Sequence, residues 1–318
     1  MADPVAADRL TGFVARAFHS LGVPDSDAVA VAGLMVEADL LGHDTHGLFR
    51  LRQYVKRLQG GGCNATARPR ILRETVATAV IDGDNGLGHL AMVMARDLAM
   101  AKARQAGIGW VGVRGGNHAG PAALYVRPQT AAGMIGICGA VGSANHVAPY
   151  GGTDLLLGTN PIAIATPGGT DPFVLDMATT VAAVGKIKTL AQRGEPMPEG
   201  WMVGRDGKPL TDPNRRDEGF LLPVGGAKGY GLAMAIGLLA GVLNGAAFGD
   251  PEAFTATATR IFAQMRGSAP LPGHDPVRVP GDGRTAARER RRAEGITLHA
   301  ALRAELNHIA IDLAIEPL

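Results

Sequence analysis

Cysteine is almost missing: Cys63 and Cys138 are the only two in 318 residues. They are far apart and match no CxxC spacing, which excludes a cysteine-based metal ribbon or redox motif and predicts two reduced core thiols. Aromatic residues make up only 4%, too few for the repeated stacking platforms of a single-strand nucleic-acid binder. No charge of one sign dominates, since 31 Lys and Arg against 29 Asp and Glu leave a net charge of +2. Neither a nucleic acid nor a membrane surface is therefore expected as partner. The start, MADPVAADRL, has no basic-then-apolar run, so no secretory leader is read there and the cytoplasm is the default location. One uncharged stretch, 229–249, is long enough to cross a bilayer. Asn244 interrupts it, and Gly237, Gly241 and Gly245 recur every four residues. This smooth face suits close backbone contact, and a buried central helix is the reading preferred.

What is abundant is glycine, 45 residues without a G-X-Y period, roughly twice average usage. Turns and close backbone approaches to a ligand follow. Apolar residues at 46% supply a sizeable core. Two helices are predicted over residues 5–41, the second starting at Pro24 with Asp25 to Asp27 behind it. A third is predicted over Thr45 to Gln59, a strand over VATAVIDG, a helix from about His89 to Gln105, and a strand over IGWVGVRG. From about 121 short apolar runs broken by Gly and Pro predict a strand-rich region. Residues 191–223 read as a polar excursion with a hairpin at Asp206-Gly207. The tail from 251 reads as two helical pieces around a Pro/Gly loop at 269–283.

Two GxGxxG-like matches invite a Rossmann reading, and both fail physically. Gly107, Gly109 and Gly112 lie within a predicted strand that opens no helix. Gly86 and Gly88 do precede a helix, but no acidic residue occurs from 98 to 121 to hold a ribose.

The segment Gly42 to Tyr54 carries more chemistry. On a helix, His46, Arg50 and Tyr54 would share one face at i, i+4, i+8. A titratable imidazole, a forked cation and a hydroxyl donor suit a 2-oxo or 2-hydroxy acid: Arg clamps the carboxylate and His passes a proton. A solvated basic helix is the competing reading. His43 and His46 as a metal pair lack a nearby third ligand, so no metal is expected. His118, in Gly115-Gly116-Asn117-His118-Ala119-Gly120 after a strand, is either a ligand-facing acid/base or a turn histidine bonded to its own backbone.

The motifs DTHGLFRLRQY, GGNHAG, PYGGTDLLLGTNPIAIATP, VLDMATTVAAVGKI, PEGW, LLPVGGAKGYGLA and RAEGITL occur in this order over nearly the whole chain. Together they resemble the type-2 malate/L-lactate dehydrogenase family, which also holds sulfolactate and ureidoglycolate dehydrogenases, diketogulonate reductases and cyclic-imine reductases. The resemblance implies a non-Rossmann α+β fold, with helical N- and C-terminal parts around a largely antiparallel-sheet cofactor domain, in a homodimer. It divides the chain into an N-terminal helical segment (1–58), a discontinuous α/β domain (59–122 and 250–318) and an NAD(P)-binding domain (123–249). It implies acid/base roles for His46 and His118 and substrate contacts for Arg50 and Tyr54. For NAD or NADP it implies Thr159, Asn160, Pro161, Asp176, Met177, Ala178, Thr179, Lys228 and Gly229, with Pro280 and Gly281 from a late Pro-Gly-Glu motif whose third residue here is Asp282.

The resemblance implies a 2-hydroxy/2-oxo acid oxidoreductase acting on a small carboxylic acid. The alternatives are a reductase of cyclic imines of the piperidine-2-carboxylate type and a catalytically weak ligand-binding dimer. The last is motivated by Gly249 and Pro251, which stand almost fused where family members carry a further stretch, including a strand. The five arginines of 284–292 read as a solvated helix face, with a cofactor phosphate as the alternative partner.

Overall fold

The computed structural model describes residues 4–142, 144–168, 171–245, 251–294, 296, 298, 300–312 and 315–316. It divides into two compact units, Met1–Val277 and Arg278–Leu318.

The larger unit opens with α1 (Ala7–His19) and α2 (Asp25–Leu40). Val14 and Phe18 of α1 face Ala28, Val31, Ala32 and Met35 of α2, apolar positions three and four apart that turn toward one core. Pro24 sits at the N-cap and Asp25 and Asp27 in the first turn of α2, where carboxylates favour the helix dipole. The next helix, α3 (Leu51–Gln59), places Tyr54 in the same core. It starts later than the sequence predicts. Residues 48–50 form a 3₁₀ turn, and Gly47 is non-helical at φ −92°, ψ −125°. The reason is Asp39: its carboxylate accepts the Leu48 N–H at 2.8 Å and occupies the space where a side chain at Gly47 would stand. His46 is therefore a turn residue and not on the helix of Tyr54.

Strands β1 (Arg70–Glu74) and β2 (Thr78–Asp82) pair antiparallel, and α4 (Gly88–Ala106) returns the chain to β3 (Trp110–Arg114), parallel to β2. Ile81, Ala91 and Ala95 join sheet to helix. The exposed β1 had no clear sequence signal, because every one of its side chains is exposed.

Helix α5 (Ala123–Ala131) follows in a region predicted to hold strands, and it contains Pro128. Burial of Leu124, Tyr125, Val126 and Gln129 decides in favour of helix. It packs on an antiparallel sheet of β4 (Gly136–Gly139), β5 (Ile162–Thr166) and β6 (Phe173–Met177). Helix α6 (Val184–Arg193) was also unsignalled. Strands β7 (Met202–Gly204) and β8 (Gly219–Leu221) pair antiparallel, with the turn at Asp206-Gly207 beside β7 as expected. Then come α7 (Ala227–Ile236), a π-helical stretch Gly237–Val242, and α8 (Pro251–Arg266). Gly237 and Gly241 lie against the side chains of Asn160 and Val141, not against the second backbone that their spacing suggested. Among the described residues no helix is long and apolar enough to cross a membrane. The expected shortening at Gly249 falls in 246–250, outside the described residues.

The smaller unit holds α9 (Arg284–Glu294) and α10 (Ala300–Asp312), so among the described residues the helical piece after the Pro/Gly loop is made of two helices. The arginines at 284, 288, 290, 291 and 292 are all exposed on α9. Cys63 and Cys138 are free thiols.

Candidate active site

The loop after β3 is held from below by the turn after β2. Asn117 donates from its side chain to the carbonyls of Asn85 (2.8 Å) and Gly86 (3.0 Å), and the Asn85 N–H donates to Gly115 O at 2.7 Å. A Cβ added at Gly88 would overlap the Asn117 carbonyl. The second GxG-like match is thus explained by the close approach of this loop to α4, not by a phosphate. On the far side, the Tyr125 hydroxyl of α5 donates to Ala119 O at 2.5 Å. The loop so clamped carries His118.

His118 meets the residues of the Gly42–Tyr54 segment. Its ring stacks on His46 with centroids 5.7 Å apart and planes 24° off parallel. Its Nδ1 lies 2.5 Å from the Tyr54 hydroxyl and accepts the Gly120 N–H at 3.3 Å. With Nδ1 accepting, the neutral ring carries its proton on Nε2, the nitrogen left for a substrate. Both readings of His118 are thus partly met: it bonds its own turn and it joins the cluster. His46 Nδ1 is 2.9 Å from Thr45 Oγ1. Arg50 donates from Nε to Thr45 O at 2.8 Å and from Nη1 to Gln53 Oε1 at 3.1 Å. These two bonds orient the guanidinium and, among the described residues, leave Nη2 without a protein acceptor, so the solvated-helix reading does not describe Arg50 or Tyr54.

Electrostatics make this a site that resists positive charge. Burial first, then Arg50, His46 and His89, pull the His118 pKa down to about 3. Burial, then Arg50 and His43, pull His46 down to about 4. Burial raises the Tyr54 phenol, although Arg50 opposes it. Each imidazole is neutral in the free protein near pH 7, and a substrate carboxylate beside Arg50 would cancel part of the cation's effect.

Sequence reasoning missed Tyr125, Asn117 and His89. His89 is fully buried, stands edge-on to Tyr54 at 5.7 Å and, among the described residues, has no hydrogen-bond partner for either ring nitrogen. Only Asn117 had a signal, its place inside GGNHAG.

The segments expected to meet a nicotinamide cofactor also converge. Thr179 donates twice to Thr159 O, from N and from Oγ1, both at 2.9 Å, and Val224 N donates to Thr179 O at 3.0 Å. Thr159–Pro161, Asp176–Thr179 and the turn before Lys228 are therefore neighbours. Asn160 is buried, and its side chain accepts from Gly142 N (3.0 Å) and donates to Ala233 O (2.8 Å). It acts as a pin between segments and offers a ligand no free side chain. Asp176 accepts the Ala123 N–H at 2.8 Å at the start of α5, and burial raises its pKa. Gly229 backs onto Val224, a contact any Cβ would block, while Lys228 stays exposed. This glycine-walled turn with an exposed cation and main-chain N–H groups suits a dinucleotide's phosphates. Pro280 and Gly281 form a turn of the smaller unit, closed by Asp282 N donating to Val279 O at 3.0 Å. A separate cavity of about 900 Å³, lined by Leu34, Leu41, Leu124, Arg127 and Pro172 among others, contains none of these site residues. Its size carries no weight against the convergent chemistry at His118.

Known proteins resemble the chain over nearly its whole length. The malate/L-lactate dehydrogenase family model matches residues 5–251 and 246–307. The malate dehydrogenase of Pyrococcus horikoshii is 35% identical over 348 aligned positions, covering 99% of this chain and 96% of that protein. Because the chain has 318 residues, at least 30 of those 348 positions have no counterpart here. The solved Pyrococcus horikoshii structure superposes with a TM-score of 0.68 at 34% identity, covering 99% of this chain and 97% of the other. The ureidoglycolate dehydrogenase (NAD(+)) of Escherichia coli O157:H7 is 31% identical, with 92% of each chain covered. The Δ1-pyrroline-2-carboxylate reductase of Ancylobacter novellus is 36% identical, covering 90% of this chain and 91% of its own. The fold is the α+β, non-Rossmann one that the motifs implied, and the chain belongs to the malate/L-lactate dehydrogenase family of oxidoreductases.

Proposed function

We propose that the protein moves a hydride between a nicotinamide cofactor and the α-carbon of a malate- or lactate-type 2-hydroxy/2-oxo acid. The observation that carries this is the cluster itself: His118, held at Nδ1 by Tyr54 and Gly120, stacked on His46, with Arg50 alongside. The cofactor, when bound, supplies or accepts the hydride. Thr159, Asp176, Met177, Ala178, Thr179, Lys228 and Gly229 would hold it, with Asn160 and Pro161 shaping the turn behind. Arg50 fixes the substrate carboxylate through its outer guanidinium nitrogens. In reduction His118, doubly protonated in the complex, gives its Nε2 proton to the oxygen and is left as the neutral imidazole with its remaining proton on Nδ1, facing the Tyr54 oxygen; oxidation runs the same transfer in reverse. Tyr54 holds His118 in place, and His46 orients the substrate from the stacked ring. NAD is supported by the name of the Escherichia coli relative, and NADP stays within the test.

A second reading, reduction of a cyclic imine acid, is favoured by the Ancylobacter relative and by the same carboxylate clamp. A homodimer is the assembly that the family resemblance implies; light scattering at the monomer mass would contradict it. The deciding assay follows oxidation of NADH and NADPH with oxaloacetate, pyruvate, sulfopyruvate and cyclic imine acids. Turnover of a 2-oxo acid is expected. Turnover of the imines alone would replace this reading with the second.

A further inference from the structure

Tyr150 has a setting that the roles above leave unused. It lies in the turn Pro149–Gly152, closed by Gly152 N donating to Pro149 O at 2.8 Å, and 47% of it remains exposed. Two supports hold the ring. His274, from the loop after α8, meets it edge-on at 6.0 Å and 81°. On another side lies the backbone of Gly226, the residue before α7, where an added Cβ would come 3.1 Å from Tyr150 Cε2. Gly226 also has φ +62°, so two independent constraints keep a side chain out of this position. The turn itself is anchored, since Leu271 N donates to Gly151 O at 2.6 Å. A half-exposed aromatic ring thus rests on the Gly225–Lys228 turn, with its orientation set by the chain. A ring needed only for packing gains nothing from exposure, whereas a fixed, half-open ring is what a flat heterocycle stacks on.

We propose that Tyr150, backed by His274, is a stacking surface for a nitrogen-heterocycle ring of the dinucleotide, beside the phosphates read at Lys228. This inference rests on the dinucleotide reading above and adds Tyr150 and His274 to the binding residues.

Calorimetric titration of the full-length protein with NADH tests it. Tyr150→Ala is expected to weaken NADH binding about five- to a hundredfold, and Tyr150→Phe to stay within about threefold of wild type. The melting temperature of both variants should stay near wild type, because the side chain is half in solvent. Titration with ADP-ribose and with nicotinamide mononucleotide identifies the stacked ring, as the affected fragment carries it. Wild-type binding with an unchanged Kd in Tyr150→Ala overturns the inference alone. An equal loss in Tyr150→Phe also overturns it, since that would make the hydroxyl and not the ring the contact. No NADH binding by the wild type overturns the dinucleotide reading and this inference together.

Discussion

Replacing His118 by asparagine is expected to lower kcat about 10²- to 10⁴-fold while cofactor affinity stays within a few-fold of wild type. His118 is the one imidazole in the cluster whose Nδ1 is engaged by two groups, Tyr54 and the Gly120 N–H. That engagement fixes the ring and dedicates Nε2 to the substrate oxygen. Asparagine keeps polarity and approximate reach but cannot take up and return a proton. Among the described residues the His46 ring bonds only to its neighbour Thr45, and His46 lies on a turn. His46→Asn should therefore raise the substrate KM more than it lowers kcat. Steady-state kinetics on both variants check this, and the reverse pattern would exchange the two assignments.

Replacing Arg50 by lysine is expected to raise the substrate KM roughly ten- to a hundredfold, the loss of a charge-assisted bond worth about 1.5 to 3 kcal/mol. The charge is kept, so a purely long-range role would tolerate the change. The geometry argues otherwise. Arg50 Nε and Nη1 are already spent on Thr45 O and Gln53, which hold the guanidinium plane still. A lysine has no second and third nitrogen to be held in this way, and its point charge cannot form the fork on a carboxylate. NADH affinity measured by titration should be unchanged. A substrate KM within twofold of wild type would remove Arg50 from the site.

The motifs carried the family, and the physics of single residues explains what they left out. Helical spacing grouped His46, Arg50 and Tyr54 correctly as neighbours but placed them on one continuous helix. The interaction that breaks that helix comes from Asp39, eight residues before Gly47, and no local pattern reveals it. Helix α5 was hidden because its apolar run carries Pro128 and is buried on both sides of the turn, leaving no amphipathic stripe to read. His89 and Tyr125 were invisible for a related reason: their value lies in contacts with residues more than five positions away, Tyr54 and Ala119. By contrast, the glycines of the failed Rossmann match were judged correctly from the absent carboxylate, and the structure adds the packing of Gly88 on Asn117 as their cause. The shortening near Gly249 was implied by the resemblance; the Pyrococcus horikoshii alignment has at least 30 positions with no counterpart anywhere in this chain.

The most direct test of the proton-donor assignment is the pH dependence of kcat for 2-oxo acid reduction in wild type, His118→Asn and His46→Asn. In the free protein burial, Arg50, His46 and His89 hold His118 at about 3. A bound carboxylate at Arg50 offsets the cation's effect and raises that value in the complex. The account predicts that wild-type kcat falls as pH rises through this raised pKa, because the donor then loses its proton. The same limb should persist in His46→Asn and vanish in His118→Asn. A limb retained in His118→Asn and lost in His46→Asn would contradict the account.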